Sequence, residues 1–279
     1  MSSNLEKIIH KTEEKWLHPL ADACSQQFAM VHLPSHDQSH HLRVWKYAKI
    51  LLHHAVKQGI VISETDIERL IITVFFHDQG MSETISKEHG KIGRHICKAY
   101  FNKSTIAPPP FIENILQAIE DHDKKDYSNL NEFDILNFLN LADDLDALGT
   151  IGAYRYAEIN LLRKIEIQDV PEIVLNNMSA RFQHFTKMLG KDRVFIKAQN
   201  QRYLAAHNFF KDLAFQMKQV EYRTDLYLGP IGVINFIKNE IIQNKRTPLK
   251  VCDYVISQNR DFYCHHFFER LKKELTTDY

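Results

Sequence analysis

An all-α fold, a helical bundle followed by a C-terminal helical extension, is predicted by three observations. Glycine is scarce, at 9 of 279 residues. Apolar residues recur mostly at three- and four-residue spacing, the period of a buried helical stripe. No alternating apolar–polar run is long enough to form a half-buried strand.

The elements follow in order. A first helix is expected over 4–30, ending before Leu33-Pro34-Ser35, because Pro34 lacks a backbone donor and biases Leu33 away from helix. A second runs from Ser39 through Gln58, with Gly59 as the left-handed stop. Ser63 is the expected N-cap of a third helix ending near His77-Asp78. Gln79-Gly80 is a turn, and a fourth helix is expected over 83–101. Pro108-Pro109-Pro110 precedes a helix over 111–122, and residues 129–132 lead into a helix over 133–148. After Gly149 come helices near 151–164, 171–189 and 192–222, broken at Asp169-Val170-Pro171 and at Gly190. Gly229-Pro230 and Thr247-Pro248 mark two further boundaries, with Pro248 suited to a first helical turn. No linker separates these elements. The expected division is a metal-binding helical core over 1–165 and a helical extension over 166–279 packed on it.

Composition narrows the function classes. Lys plus Arg (35) balance Asp plus Glu (35), so no net field recruits nucleic acid or an anionic membrane. The four cysteines, Cys24, Cys97, Cys252 and Cys264, form no CxxC pair, which argues against a zinc ribbon or a disulfide framework. The N-terminal segment has no signal-peptide core, and the longest apolar stretch, Leu70–Phe76, is far too short for a bilayer. A cytoplasmic protein is expected. The oddity is 16 histidines. Most are expected in ordinary surface or core positions, but histidine is the commonest metal ligand, so clustered ones matter.

Several polar residues fall on apolar helical stripes. His40 lies four before Val44 and shares its face. His77 follows the stripe of Leu70 and Val74, and Asp78 that of Ile71 and Val74, so an imidazole and a carboxylate end an apolar helix side by side. Burying such groups unpaired costs roughly 2–7 kcal/mol each, and a divalent cation is one natural partner. Asp143, seven after Leu136 and four after Leu139, should face inward, Asp144 outward, and Asp146 nearly with Asp143. His122 lies three after Ile119 and seven after Ile115, again inward.

The order H…HD…D resembles the HD-domain superfamily of metal-dependent phosphohydrolases. More narrowly, SHDxxHxxRV over 35–44 and ADxLDAxGxIGxxR over 142–155 resemble a bacterial HD group associated with nucleotide phosphohydrolysis. The resemblance covers about 33–156. His89 and Gly93 stand in a segment similar to the HxxxG of binuclear HD phosphodiesterases, and His122 completes an H…HD…H…H…D set. The resemblance implies an HD-domain bundle with two divalent ions (Mn, Fe or Mg): His40, His77 and Asp143 on one, His89 and His122 on the other, Asp78 bridging. His89 and His122 remain open as groups supporting a single ion. The GYP segment of the cyclic-dinucleotide phosphodiesterases is absent after His122, so that substrate is not supported.

Asp78, Arg43, Lys91 and Asp146 are the candidate catalytic residues, and His36 and Arg155 the candidate contacts to a small-molecule phosphorylated substrate. Arg43 has the alternative of pairing with Asp146 or Asp37, and Lys91 of lying in solvent; Asp37 has the alternative of capping its helix. Aromatic residues at helical spacing in the extension, around Phe182 and Tyr203, suggest packing or a homo-oligomer. Two alternatives to a phosphohydrolase remain: a di-iron oxygenase resembling myo-inositol oxygenase, and a non-catalytic nucleotide-binding regulator.

Overall fold

Capping chemistry sets the helix boundaries in the computed structural model, which describes residues 2–124, 133–189, 193–258 and 261–277. Among these residues the chain forms twelve α-helices and no strand. The expected lead-in at 129–132 and break at Gly190 lie outside the described residues.

Helix α1 (Ser2–Phe28) ends ahead of Pro34. Asp37 opens α2 (Gln38–Lys57) by accepting from the Ser39 backbone N–H at 2.9 Å, so its capping role holds. Gly59 follows at φ 88° and stops it, as a residue without Cβ can. Ser63 and Asp66 form a reciprocal capping box at the start of α3 (Glu64–Phe76). Gln79–Ser82 then make one 3-10 turn. Helix α4 (His89–Lys103) begins later than expected, at His89 itself. The hydroxyls of Thr84 and Ser86 explain the delay: they accept from the backbone N–H groups of Ser86 (3.2 Å) and Glu88 (3.3 Å), offering 83–88 an alternative to helix. Helices α5 (Ile112–Asp121) and α6 (Ile135–Asp146) follow.

The chain divides into two compact units, Met1–Leu145 and Asp146–Tyr279. In the first, α3 is the central rod. Ile67, Leu70, Ile71, Ile72, Val74, Phe75 and Phe76 are all fully buried, each such side chain worth roughly 1.5–3 kcal/mol of burial. Helix α1 is pinned to it where Trp16 Nε1 (3.1 Å) and Lys15 Nζ (2.7 Å) both donate to Glu68 Oε1.

The second unit comprises α7 (Gly149–Leu162), α8 (Val170–Leu189), α9 (Arg193–Gln219), α10 (Gly229–Phe236), a π-helical stretch over Ile237–Gln243, α11 (Pro248–Gln258) and α12 (Phe262–Thr276). Its division from the first unit lies at 145/146, before α7, where the sequence suggested 165/166. The reason is packing: Ile151, Ala153, Tyr154 and Ala157 of α7 join the core of the second unit. Glu274 accepts from the Thr150 (2.9 Å) and Ile151 (3.0 Å) backbone N–H groups, meeting the positive N-terminal end of α7 with a carboxylate. Pro230 stands in the first turn of α10, and Pro248 opens α11 as expected. No helix among the described residues is long and apolar enough to cross a membrane.

Candidate metal centre

Three helix ends and two helix bodies of the first unit carry the polar groups. His40 lies in the first turn of α2 and is fully buried beside Val44. His77 caps the C-terminus of α3, with Asp78 next to it; His89 is the first residue of α4; His122 caps α5; Asp143 projects from α6.

Close backbone contact brings α4 to its neighbours. A Cβ at Gly90 would stand 2.6 Å from the Glu120 carbonyl oxygen, and one at Gly93 2.9 Å from that of Phe76. Only glycine lets α4 approach α5 and α3 this closely, which delivers His89 to His122 and Asp78.

The side chains form two groups that meet at one carboxylate. His40, His77, Asp78 and Asp143 offer ligand atoms close enough for one ion, and Asp78, His89 and His122 for another. Asp78 divides its oxygens between them. Oδ2 lies 3.4 Å from His40 Nε2 and 3.3 Å from His77 Nε2. Oδ1 lies 3.4 Å from His89 Nε2 and 3.1 Å from His122 Nε2. Asp143 Oδ1 is 3.8 Å from His40 Nε2. Ligand atoms bound at about 2.1 Å to a common ion stand roughly 3.0–3.4 Å apart, the range most of these distances occupy.

Tautomers strengthen the fit to a metal. The Nδ1–H groups of His77, His89 and His122 donate to the carbonyl oxygens of Val74 (2.8 Å), Ser86 (2.7 Å) and Ile119 (2.7 Å). A neutral ring anchored this way presents a bare lone pair at Nε2. Yet His89 Nε2 and His122 Nε2 face one another at 3.1 Å. Facing lone pairs repel unless a cation lies among them. The buried groups therefore fit a divalent metal, or protons in its place.

The electrostatics show the same demand for positive charge. Burial pushes the Asp78 carboxyl up, but the adjoining His77 charge and hydrogen bonds from His122, His40 and His77 hold it well below the usual carboxylate range. Burial pushes His89 down, and Asp78, Asp123 and the Ser86 carbonyl overcome it, raising the imidazole to about 9. His77 is likewise raised against its burial by Asp78 and Asp143.

The other expected site residues are placed less centrally. His36 is buried, shares a 2.7 Å hydrogen bond with Ser35 Oγ, and stands 5.4 Å ring to ring from His40. Arg43 donates to Ser39 Oγ at 3.1 Å on the first turns of α2. Lys91 is exposed and pairs with Glu88 at 2.9 Å. Asp146 and Arg155 are buried in the second unit and bond one another at 3.0 Å. Asp144, expected outward, is only 4% exposed. Helix α6 is enclosed on more than one face: Asn137 and Asn140, spaced with Asp144, are buried too.

Two residues escaped the sequence reading. Asp123 reaches to 3.4 Å from His89 Nε2, and the only hint was its place directly after His122. His41 is fully buried behind the ligands, its ring 5.2 Å from those of His40 and His77. Burial and those neighbours push His41 well below the ordinary imidazole value, so it stays neutral, with Nδ1 on the Asp37 carbonyl at 2.9 Å. It lies four before Trp45 and seven before Ala48, on the buried face of α2.

Residues 38–150 match the family model of the HD domain. This stretch is an HD domain. HD domains belong to a superfamily of metal-dependent hydrolases that bind divalent metals, and the match takes in every residue of both ligand groups. No curated protein and no solved structure matches the chain. The four cysteines are free and buried.

Proposed function

We propose that the HD domain of this chain hydrolyses a phosphoester of a nucleotide or another small molecule, with two divalent ions held by His40, His77 and Asp143 on one side, His89 and His122 on the other, and Asp78 between. The observation carrying this reading is the division of the Asp78 oxygens between two sets of imidazoles. A sulfur-free shell of nitrogen and oxygen donors suits Mn, Fe or Mg. When bound, such ions supply a water of lowered pKa and polarise a phosphoryl oxygen.

The protein's own part is orientation. Hydrogen bonds to Val74, Ser86 and Ile119 hold three imidazoles with Nε2 inward, so no ring must turn to bind. Asp78 keeps its negative charge where a metal ion, or protons on the four imidazoles around it, supply the balancing positive charge. Arg43 and Lys91 are proposed to contact the substrate phosphate, Arg43 through its planar fork. His36, fixed by Ser35, is proposed as a polar contact beside His40.

A phosphate-release screen over nucleotides and simple phosphomonoesters, run on protein loaded with Mn, Fe or Mg, tests this. Turnover that requires metal and disappears in His77→Ala is the expected result. Oxygen consumption by the iron-loaded protein without phosphate release would favour the oxygenase reading. Saturable nucleotide binding with neither activity would favour a regulator.

A further inference from the structure

We propose that Asp123 is the outer ligand of the second ion, an exchangeable carboxylate that closes the Asp78–His89–His122 group from its solvent side and yields that place to a phosphate oxygen of the substrate. The inference rests on the two-ion reading above.

The two groups are unequal without it. The first offers four protein ligands and the second three. Asp123 lies where a fourth is wanted: its Oδ2 is 3.4 Å from His89 Nε2, matching the distance of Asp78 Oδ1 from that atom, and its Oδ1 is 3.8 Å from His122 Nε2. The backbone holds it there. His122 caps α5 and is tied through Nδ1 to the Ile119 carbonyl, so the next residue along is carried to the edge of the same group.

Exposure separates Asp123 from Asp78. The Asp123 side chain is 45% exposed, that of Asp78 7%. A half-exposed carboxylate regains water when it leaves a metal, so its release costs far less than that of a buried one. Charge favours the exchange. Two divalent ions bring four positive charges, Asp78 and Asp143 cancel two, and Asp123 a third. Displacing Asp123 leaves a doubly positive pocket, which matches a phosphomonoester dianion.

The test is metal binding rather than turnover. Wild type, Asp123→Asn and Asp123→Ala are titrated with Mn²⁺ and analysed for bound metal after dialysis, with His122→Ala as the second-group control and Asp121→Asn as a surface control. Circular dichroism checks the fold of each. We expect two ions in wild type and Asp121→Asn. In both Asp123 variants the dissociation constant of the second ion should rise at least about tenfold, the scale on which residues around a metal alter affinity, while the first stays within about twofold. Inorganic phosphate should restore the second ion in Asp123→Ala by supplying the missing oxygen. Two ions held equally well by folded Asp123 variants would overturn the inference and leave the two-ion reading intact. A single ion in wild type would remove both.

Discussion

The two ligand groups share Asp78 but sit in different surroundings. Around Oδ2, His40 and His77 are fully buried, and Asp143 is 14% exposed. Around Oδ1, His89 and His122 are each 3% exposed, but the carboxylate beside them, Asp123, is 45% exposed. The first group joins α2, α3 and α6; the second is assembled from the starting residue of α4 and the cap of α5. Helix ends bring with them a convenient device. His77, His89 and His122 each bond the carbonyl three residues earlier, so one local geometry fixes ring tautomer and direction three times. On the two-ion proposal, the deep group is thereby suited to retention and the shallow one to exchange.

That contrast can be broken experimentally, and the largest effect is expected at the shared residue. Asp78→Ala should lose both ions and all turnover while the chain stays folded, as elemental analysis and circular dichroism would report. An Asp78→Ala protein that still holds two ions would end the bridging assignment.

Next comes a comparison along α6. Asp146 is fully buried with Arg155, so Asp146→Ala breaks a buried ion pair and should cost roughly 3–5 kcal/mol in a denaturant melt, with metal content unchanged. Asp143→Ala should do the reverse, weakening the first ion with little loss of stability. Equal effects from the two would mean that one carboxylate is not separable from the other.

The third pair sharpens the difference between the groups. His89→Ala or His122→Ala should reduce bound metal by about one ion, measured by elemental analysis; unchanged stoichiometry in both would leave only a single-ion site. Gly90→Ala is subtler. The added methyl meets the Glu120 carbonyl, and overpacking of that kind typically costs about 1–3 kcal/mol. It should weaken the second ion and spare the first. The smallest effect is expected from Lys91→Ala, where an exposed ion pair with Glu88 adds little to stability. A raised KM with unaltered metal content would place Lys91 on the substrate.

The helical stripes of Val44, Val74 and Leu139 placed His40, His77 and Asp143 inward before any coordinates, because periodicity reports which face a residue occupies. Asp144 shows the limit of the same logic. One amphipathic stripe implies a solvent face opposite, and α6 is covered there as well. The start of α4 was misplaced because competing hydroxyl bonds at Thr84 and Ser86 lie outside any apolar pattern.

From its order of residues alone, the chain determined an all-helical fold, the caps at Asp37 and Ser63, and the order of the groups that converge. Those are local properties, fixed by backbone chemistry within a few residues. Only the tertiary structure decided that Asp78 divides its two oxygens, that Asp123 stands beside His89, and that α7 belongs with the second unit's core. Each depends on distances across elements far apart in the chain, which side-chain periodicity does not encode.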